Sequence, residues 1–418
     1  MSGAIPELCC GRGMRIYRIV WLIALAGLLA SCAGTLPRDV LPRELTDGAA
    51  VVDLPEVRFW GDEKSRALDL SLSSRVDQAL VSGRAAGVAA GKPATLSYLA
   101  LSGGGSDGAF GAGLLVGWTE HRTRPTFEIV TGVSTGALMA PFAFLGPEYD
   151  PQIKEIYTTL STKQLVSYQV FSGLFGGDAL ADSSPLAKHI ARFVDAKLLA
   201  AIAAEHRKGR RLFVATTNID AERPVIWDMG AIAQSTTPKS LEIFRNVLLA
   251  SASIPGAFPP VRIRVKAGGR EFEELHVDGG ITSQVFFLPF EALLYRYTDR
   301  KIAKRQLSRR LFVIRNTKVT PEWQAVQDKT LPIVERSLST LIKSQGVGDL
   351  YKLYLEAQLQ QMDFNYGAIP ADFSMKSTEF FDLEYMNALF VRGYELGRQG
   401  YVWQKHPPGM SGRIAHDR

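Results

Sequence analysis

The sequence predicts a three-layer α/β fold on a mostly parallel central sheet. Two observations carry that prediction: apolar stretches that read as buried strands alternate with segments of helical periodicity, and glycine-rich turns sit where strand gives way to helix. The first strand is Leu96 to Leu101, followed by a helical run from Ala109 to Glu120. The second is Phe127 to Thr131, with its helix starting after Gly136 at Ala137-Leu138-Met139-Ala140. Further strands are expected at Arg211 to Thr217, at Pro224 to Trp227, at an alternating stretch ending Leu275-His276-Val277-Asp278, and at Leu311 to Arg315. A long helical pattern runs from Leu331 to Gln361, with breaks expected near Gly346 and Gly348. Leu383, Met386, Leu389, Phe390, Tyr394, Gly397 and Tyr401 recur at 3.6-type spacing, which makes a last helix packed back on the core.

The two glycine-rich turns carry the chemistry. Gly132-Val133-Ser134-Thr135-Gly136 has the G-x-S-x-G form of an elbow that holds a serine on a tight turn between strand and helix, with small residues on either side where backbones approach. Such a serine stands at a helix N-terminus, where free N–H groups and the helix dipole favour negative charge. A serine that merely caps a helix is the plainer alternative. The other turn, Leu101-Ser102-Gly103-Gly104-Gly105-Ser106-Asp107-Gly108, supplies uncovered backbone N–H groups of the kind that acyl transfer needs around a tetrahedral oxyanion.

This second turn also matches G-x-G-x-x-G, the dinucleotide fingerprint. That motif wants an acidic residue about 20 positions on, at the end of the next strand, to hold a ribose hydroxyl. Glu128 has the distance but begins its strand, and the strand's end is occupied by Ser134. The residue pattern therefore favours a nucleophile over a nucleotide. A third piece, Asp278-Gly279-Gly280, places a carboxylate at a strand end with no side chains crowding it, although such a triplet taken alone is an ordinary turn. His276, two residues before Asp278 on an alternating strand, shares its face. Its position one step back toward the sheet interior points to a packed or hydrogen-bonded histidine rather than a base.

In this order, and each at a strand end, the three segments resemble the patatin-like phospholipases, a family of Ser-Asp dyad acyl hydrolases. The resemblance runs from about Leu96 to Asn316 and includes Ala250-Ser251-Ala252-Ser253-Ile254-Pro255-Gly256-Ala257-Phe258-Pro259-Pro260. It implies Ser134 as nucleophile, Asp278 as base, and Gly103, Gly104, Gly105 and Gly108 as the oxyanion loop. It implies a lipid ester, phospholipid first, as substrate, and no cofactor. The sequence departs from the family where an Arg or Lys is usual before the last loop glycine: here stands Asp107. An anionic side chain in the hole would oppose the oxyanion, so Asp107 is expected to turn outward or to bond N–H groups at the helix start.

The amino terminus sets the compartment. Arg15 and Arg18 precede twelve apolar residues, Ile19 to Ala30, too few to span a bilayer as a helix but suited to a signal peptide, and Met14 serves equally well as its start. The run ends Leu29-Ala30-Ser31-Cys32, which looks like the lipobox of bacterial lipoproteins. The expectation is a lipid on Cys32, anchorage in the cell envelope and, because Ala33 rather than Asp follows, the outer membrane. Cys9, Cys10 and Cys32 are the three cysteines, so cleavage leaves no pair for a disulfide and no cysteine metal site. The expected layout is a signal peptide over 1–31, a tether over 32–54, a helical lead-in over 55–95, containing Leu68 to Gly91, and the hydrolase-like domain over 96–418.

Charge adds exclusions. The chain carries a net +6, of which +2 falls in the first 31 residues, too mild an excess to argue for nucleic acid. The densest basic cluster, Arg296, Arg300, Lys301, Lys304, Arg305, Arg309 and Arg310, reads as a solvated face or as a contact for anionic headgroups. The six histidines are scattered, without metal-binding spacing. Tyr149 to Phe175, rich in aromatics and ending in glycines, reads either as core or as a flap over an acyl-binding cleft. Two other classes stay open: a non-catalytic envelope lipoprotein that keeps the fold as a binding surface, and the nucleotide-binding protein.

Overall fold

The computed structural model describes residues 38–63, 94–165, 167–168, 181–287 and 307–410. Strands β1 (Ala50–Val51) and β2 (Arg58–Trp60) precede β3 (Ala94–Leu101), helix α1 (Gly108–Glu120), β4 (Ile129–Gly132), α2 (Thr135–Leu145), α3 (Asp150–Thr159) and the short α4 (Thr162–Leu165). A small hairpin of β5 (Ser167–Tyr168) and β6 (Ala181–Asp182) follows, then α5 (Ser184–Phe193), α6 (Ala196–Arg207), β7 (Arg211–Asn218), β8 (Arg223–Asp228), α7 (Met229–Gln234) and α8 (Ser240–Ser251). The remainder is β9 (Val261–Ala267), β10 (Arg270–Asp278), β11 (Leu307–Arg315), α9 (Thr330–Leu359), β12 (Asp363–Ala368) and α10 (Leu383–Arg398).

The main sheet runs β1-β9-β10-β7-β4-β3-β11-β12, with β8 also paired to β7 and β2 to β8. Its centre, β7-β4-β3-β11-β12, is parallel. The β1-β9-β10 wing and the β8-β2 pair are antiparallel. Because side chains alternate along a strand, each central strand feeds two cores. Leu99, Leu101, Phe312 and Ile314 pack on one face with α1, α2 and α10, while Tyr98, Ala100, Leu311 and Val313 pack on the other with Leu350, Leu353 and Ala357 of α9. Helices thus cover both faces, the three-layer arrangement expected of a buried parallel sheet.

The structure corrects three expectations. The stretch read as a tether up to about Leu54 is, from residue 38, part of the fold: β1 pairs with β9, Leu41, Val51 and Leu54 are buried, and Lys239 meets Asp53. The lead-in contributes strand β2, and its expected helical part, Leu68 to Gly91, lies outside the described residues. The third is α9, which runs unbroken through Gly346. A Cβ there would lie 2.1 Å from Nη2 of Arg315, so this glycine makes room for a buried guanidinium instead of ending the helix.

The last helix does pack on the core. Gly113 of α1 and Gly393 of α10 bring the two backbones into contact, since a Cβ on either would stand 2.0 or 2.3 Å from a carbonyl of the other helix. That crossing delivers the start of α10 to the glycine-rich turn after β3.

Candidate active site

β4 stops at Gly132 and α2 starts at Thr135, which leaves Ser134 at the corner with φ 53° and ψ −124°. A non-glycine residue held there costs on the order of 1–3 kcal/mol and persists only where its surroundings enforce it. The enforcement is visible. A Cβ on Gly132 would sit 2.6 Å from the Gly136 carbonyl, and one on Gly136 would sit 2.4 Å from that of Leu101, so the turn closes only with both glycines. Ser134 N–H donates to Ser251 Oγ (3.0 Å), which in turn donates to the Ala215 carbonyl (2.7 Å). Ser251, the last residue of α8, belongs to the segment that carried part of the family resemblance, and this is its structural role.

Asp278 ends β10 across from this corner. Its main chain is fixed by Ser253, whose carbonyl accepts from Asp278 N–H (2.9 Å), and by the Thr217 hydroxyl donating to Asp278 O (3.0 Å). Oδ1 accepts from Gly280 N–H (2.7 Å), so the two glycines after the aspartate serve the carboxylate directly. The Ser134 hydroxyl lies close enough to the carboxylate to favour its charged form, while Oδ2 is buried and makes no hydrogen bond among the described residues. Burial pushes the carboxyl up to about 7, against the lowering effect of the Ser134 hydroxyl and the Gly280 amide.

The glycine-rich turn is tied down by Asn316, which is fully buried just past β11. Asn316 N–H donates to Ser102 Oγ (2.8 Å) and Nδ2 to Ser102 O (2.8 Å), while Oδ1 accepts from Gly111 N–H (3.1 Å). Gly104 adopts φ 155° with ψ 2°, and a Cβ there would lie 2.1 Å from Asn316 O. Gly103 N–H is spent on the Gln284 carbonyl (2.9 Å), and Gly108 N–H closes the preceding turn onto Gly105 and Ser106. The N–H groups of Gly104 and Gly105 make no hydrogen bond to the described residues. Of the four loop glycines that the sequence singled out, these two offer donors. Gly108 instead abuts Thr135, its absent side chain bringing the loop against the elbow.

Asp107 does neither of the things expected of it. It makes no side-chain cap; Oδ1 accepts from the Tyr385 hydroxyl of α10 (2.6 Å), in the neighbourhood of Arg315. Burial raises its carboxyl to about 6, with the Tyr385 bond pulling the other way. Burial lowers Arg315 to about 10, opposed by Asp349 and Asp107.

His276 is buried and occupied at both ring nitrogens, Nδ1 with Thr216 Oγ1 (2.9 Å) and Nε2 with Glu274 Oε2 (3.1 Å). Burial lowers its pKa against the pull of Glu274, so near neutral pH the ring is uncharged and its bond to Glu274 is an N–H···carboxylate hydrogen bond. Burial alone would raise Glu274, but the His276 bond and the Arg58 guanidinium hold it down at about 2.

From Ser134 a cavity of about 790 Å³, counting the space open at its mouth, runs between α2, α3, α5 and α8. Gly105, Ser134 and Thr135 line its polar end. Its walls are apolar, with Leu138 and Phe142 from α2, Leu186, Ile190 and Phe193 from α5, and Leu248 from α8. Tyr157, expected in the flap region, is a wall residue whose hydroxyl donates to Thr135 O (2.7 Å). The first part of that expected flap forms α3, α4 and β5, whereas residues 169–175 lie outside the described residues, as do Cys32 and the basic cluster up to Arg305. Among the described residues no group of three or more His, Cys, Asp or Glu side chains could hold a metal ion.

A three-layer α/β sheet with a serine on a strained strand-to-helix corner beside a buried carboxylate defines a protein of the nucleophile-elbow class. Residues 99–293 match the patatin-like phospholipase family. Among solved structures the chain is similar to VipD from Legionella pneumophila, at 13% sequence identity and a TM-score of 0.35. The match covers 73% of this chain and 66% of that one, a little under two thirds. No curated protein sequence matches the chain.

Proposed function

We propose that the protein is a lipid acyl hydrolase in which Ser134 and Asp278 act as a dyad. The observation that carries this reading is Ser134 on its strained corner, facing a buried Asp278 whose Oδ2 is free to take a proton, at the polar end of an apolar cavity. Asp278 Oδ2 accepts the hydroxyl proton as Ser134 Oγ attacks the ester carbonyl carbon. The carbonyl oxygen becomes an oxyanion that takes hydrogen bonds from the Gly104 and Gly105 amides. Collapse breaks the bond to the alcohol, which leaves with the proton from Asp278. Water then gives its proton to Asp278 and attacks the acyl-serine, and the acid is released as Ser134 is reprotonated.

The cavity supports the substrate class. Its apolar walls suit an acyl chain with the ester at the Ser134 end. Phospholipid is the substrate we assign, with the protein held at the outer membrane by lipid on Cys32, a reading that rests on the Leu29-Ala30-Ser31-Cys32 sequence. The test is release of fatty acid from phospholipid by wild type and by Ser134→Ala. Equal rates in the two folded proteins would remove the serine from the mechanism.

A further inference from the structure

We infer that the free half of α9 is a lipid-surface docking element standing beside the active site. The inference rests on the hydrolase reading for the choice of lipid as partner, and on the placement of this helix for the rest.

β11 runs toward the catalytic edge of the sheet and ends at Arg315, and α9 returns antiparallel to it, with Gly346 packed on the Arg315 guanidinium. The sixteen residues from Thr330 to Gln345 precede that level. They form roughly 24 Å of helix at 1.5 Å per residue, extending past the same strand-end edge of the sheet at which Ser134 and Asp278 sit, on the face opposite the cavity. The base of this half is joined to the catalytic turn: Gln345 Nε2 donates to Ile281 O (3.3 Å), three residues past Asp278, and Gln284 Nε2 donates to Gln345 Oε1 (3.4 Å).

The projecting half presents its apolar side to solvent. Arg336 bonds the Glu322 carbonyl, and Lys343 bonds Thr320 O (3.2 Å) and Glu322 Oε2 (2.6 Å), so polar side chains are tied down onto the chain's own loop. Val334, Leu338, Leu341 and Ile342 recur at i, i+4, i+7 and i+8, one stripe of a helix, and are 40–65% exposed. A globular protein ordinarily turns such a stripe inward. Trp323, on the loop that those polar bonds hold, is 87% exposed, and Ile281 on the catalytic turn, whose carbonyl Gln345 reaches, is 46% exposed. Trp and leucine side chains of this kind settle at the boundary between headgroups and acyl chains, where an amphipathic helix lies in the surface instead of crossing it. No described helix is long and apolar enough to cross a membrane.

The experiment compares wild type with Leu338→Ser/Leu341→Ser/Ile342→Ser, all at exposed positions, on two substrates: vesicles of phosphatidylethanolamine and phosphatidylglycerol, and a soluble short-chain ester. Vesicle hydrolysis should fall at least about tenfold with ester turnover unchanged, since each serine removes apolar area that the lipid would bury. Quenching of tryptophan fluorescence by brominated lipid in the same vesicles should contain a component that Trp323→Phe removes and the triple variant weakens. Unchanged vesicle hydrolysis with no such component overturns the inference. So does a triple variant that splits a dimer while still hydrolysing vesicles, which would make a second copy the occupant. If wild type turns over neither substrate, the hydrolase reading fails, and the quenching measurement still decides whether this helix meets lipid.

Discussion

In the proposed dyad, Asp278 combines a catalytic demand with a structural cost. A base must be ionised to take the serine proton, so with its carboxyl near 7 the rate should rise with pH through about 7 and be lost below it. A Ser-His mechanism would give a similar limb near about 6.5, so variants must discriminate. Asp278→Asn should lower hydrolysis by about a thousandfold or more, as for members of a unit. His276→Gln, with its ring partners Thr216 and Glu274 far from a free acid-base role, should keep most of the activity and the same pH limb. Stability moves the other way. The folded state holds the Asp278 proton more tightly than the unfolded chain does, so its contribution to stability is fully present below the unfolded value of 3.8 and is lost as pH rises through the folded value of about 7. Asp278→Asn should therefore melt several degrees above wild type at about pH 8, and the gain should vanish at about pH 4. The corner at Ser134 and the strand-end carboxylate of Asp278 were legible in the sequence because their turns demand glycine at fixed offsets. The bracing roles of Ser251, Gln284 and, at the glycine-rich turn, Asn316 were not, since their bonds span more than a hundred residues and leave no local pattern.

Among the elements, strands at the sheet centre could be read from continuous apolar runs that double cores require. Other elements differed in what they offered. β9 alternates Val261, Ile263, Val265 and Ala267 inward with charged residues outward, a period-two signal present in the sequence but absent from the strands expected there. β12, Asp363–Ala368, has polar residues and a glycine, and its place at the sheet edge comes from pairing with β11. The unbroken α9 shows a glycine whose reason is tertiary, so Gly346→Ala should lower the melting temperature by forcing the Arg315 guanidinium from its site, measurable by thermal unfolding. Gly104→Ala tests the loop. Its Cβ would overlap Asn316 O, displacing the amides aimed at the oxyanion, and hydrolysis should fall by about 10²–10³ with the fold retained in circular dichroism. Retained activity would move the oxyanion donors elsewhere.

At the scale of the whole molecule, the sheet divides the labour: one face carries the apolar cavity under α2, α5 and α8, and the other carries α9. Ile190 lies on the wall of that cavity, so Ile190→Trp should shift preference toward shorter acyl chains, read as the ratio of kcat/KM for long and short esters. An unchanged ratio would place the chain outside the cavity. The proposed lipidation at Cys32 predicts that Cys32→Ser abolishes labelling by a fatty-acid analogue and leaves the precursor unprocessed. The central claim is that Ser134 is a nucleophile made reactive by its corner and by Asp278. Incubating the protein with a fluorophosphonate and mapping the adduct by mass spectrometry tests it most directly. The account predicts one adduct, on the peptide containing Ser134, absent from Ser134→Ala and strongly slowed in Asp278→Asn; an adduct on another residue, or undiminished labelling of folded Ser134→Ala, would contradict it.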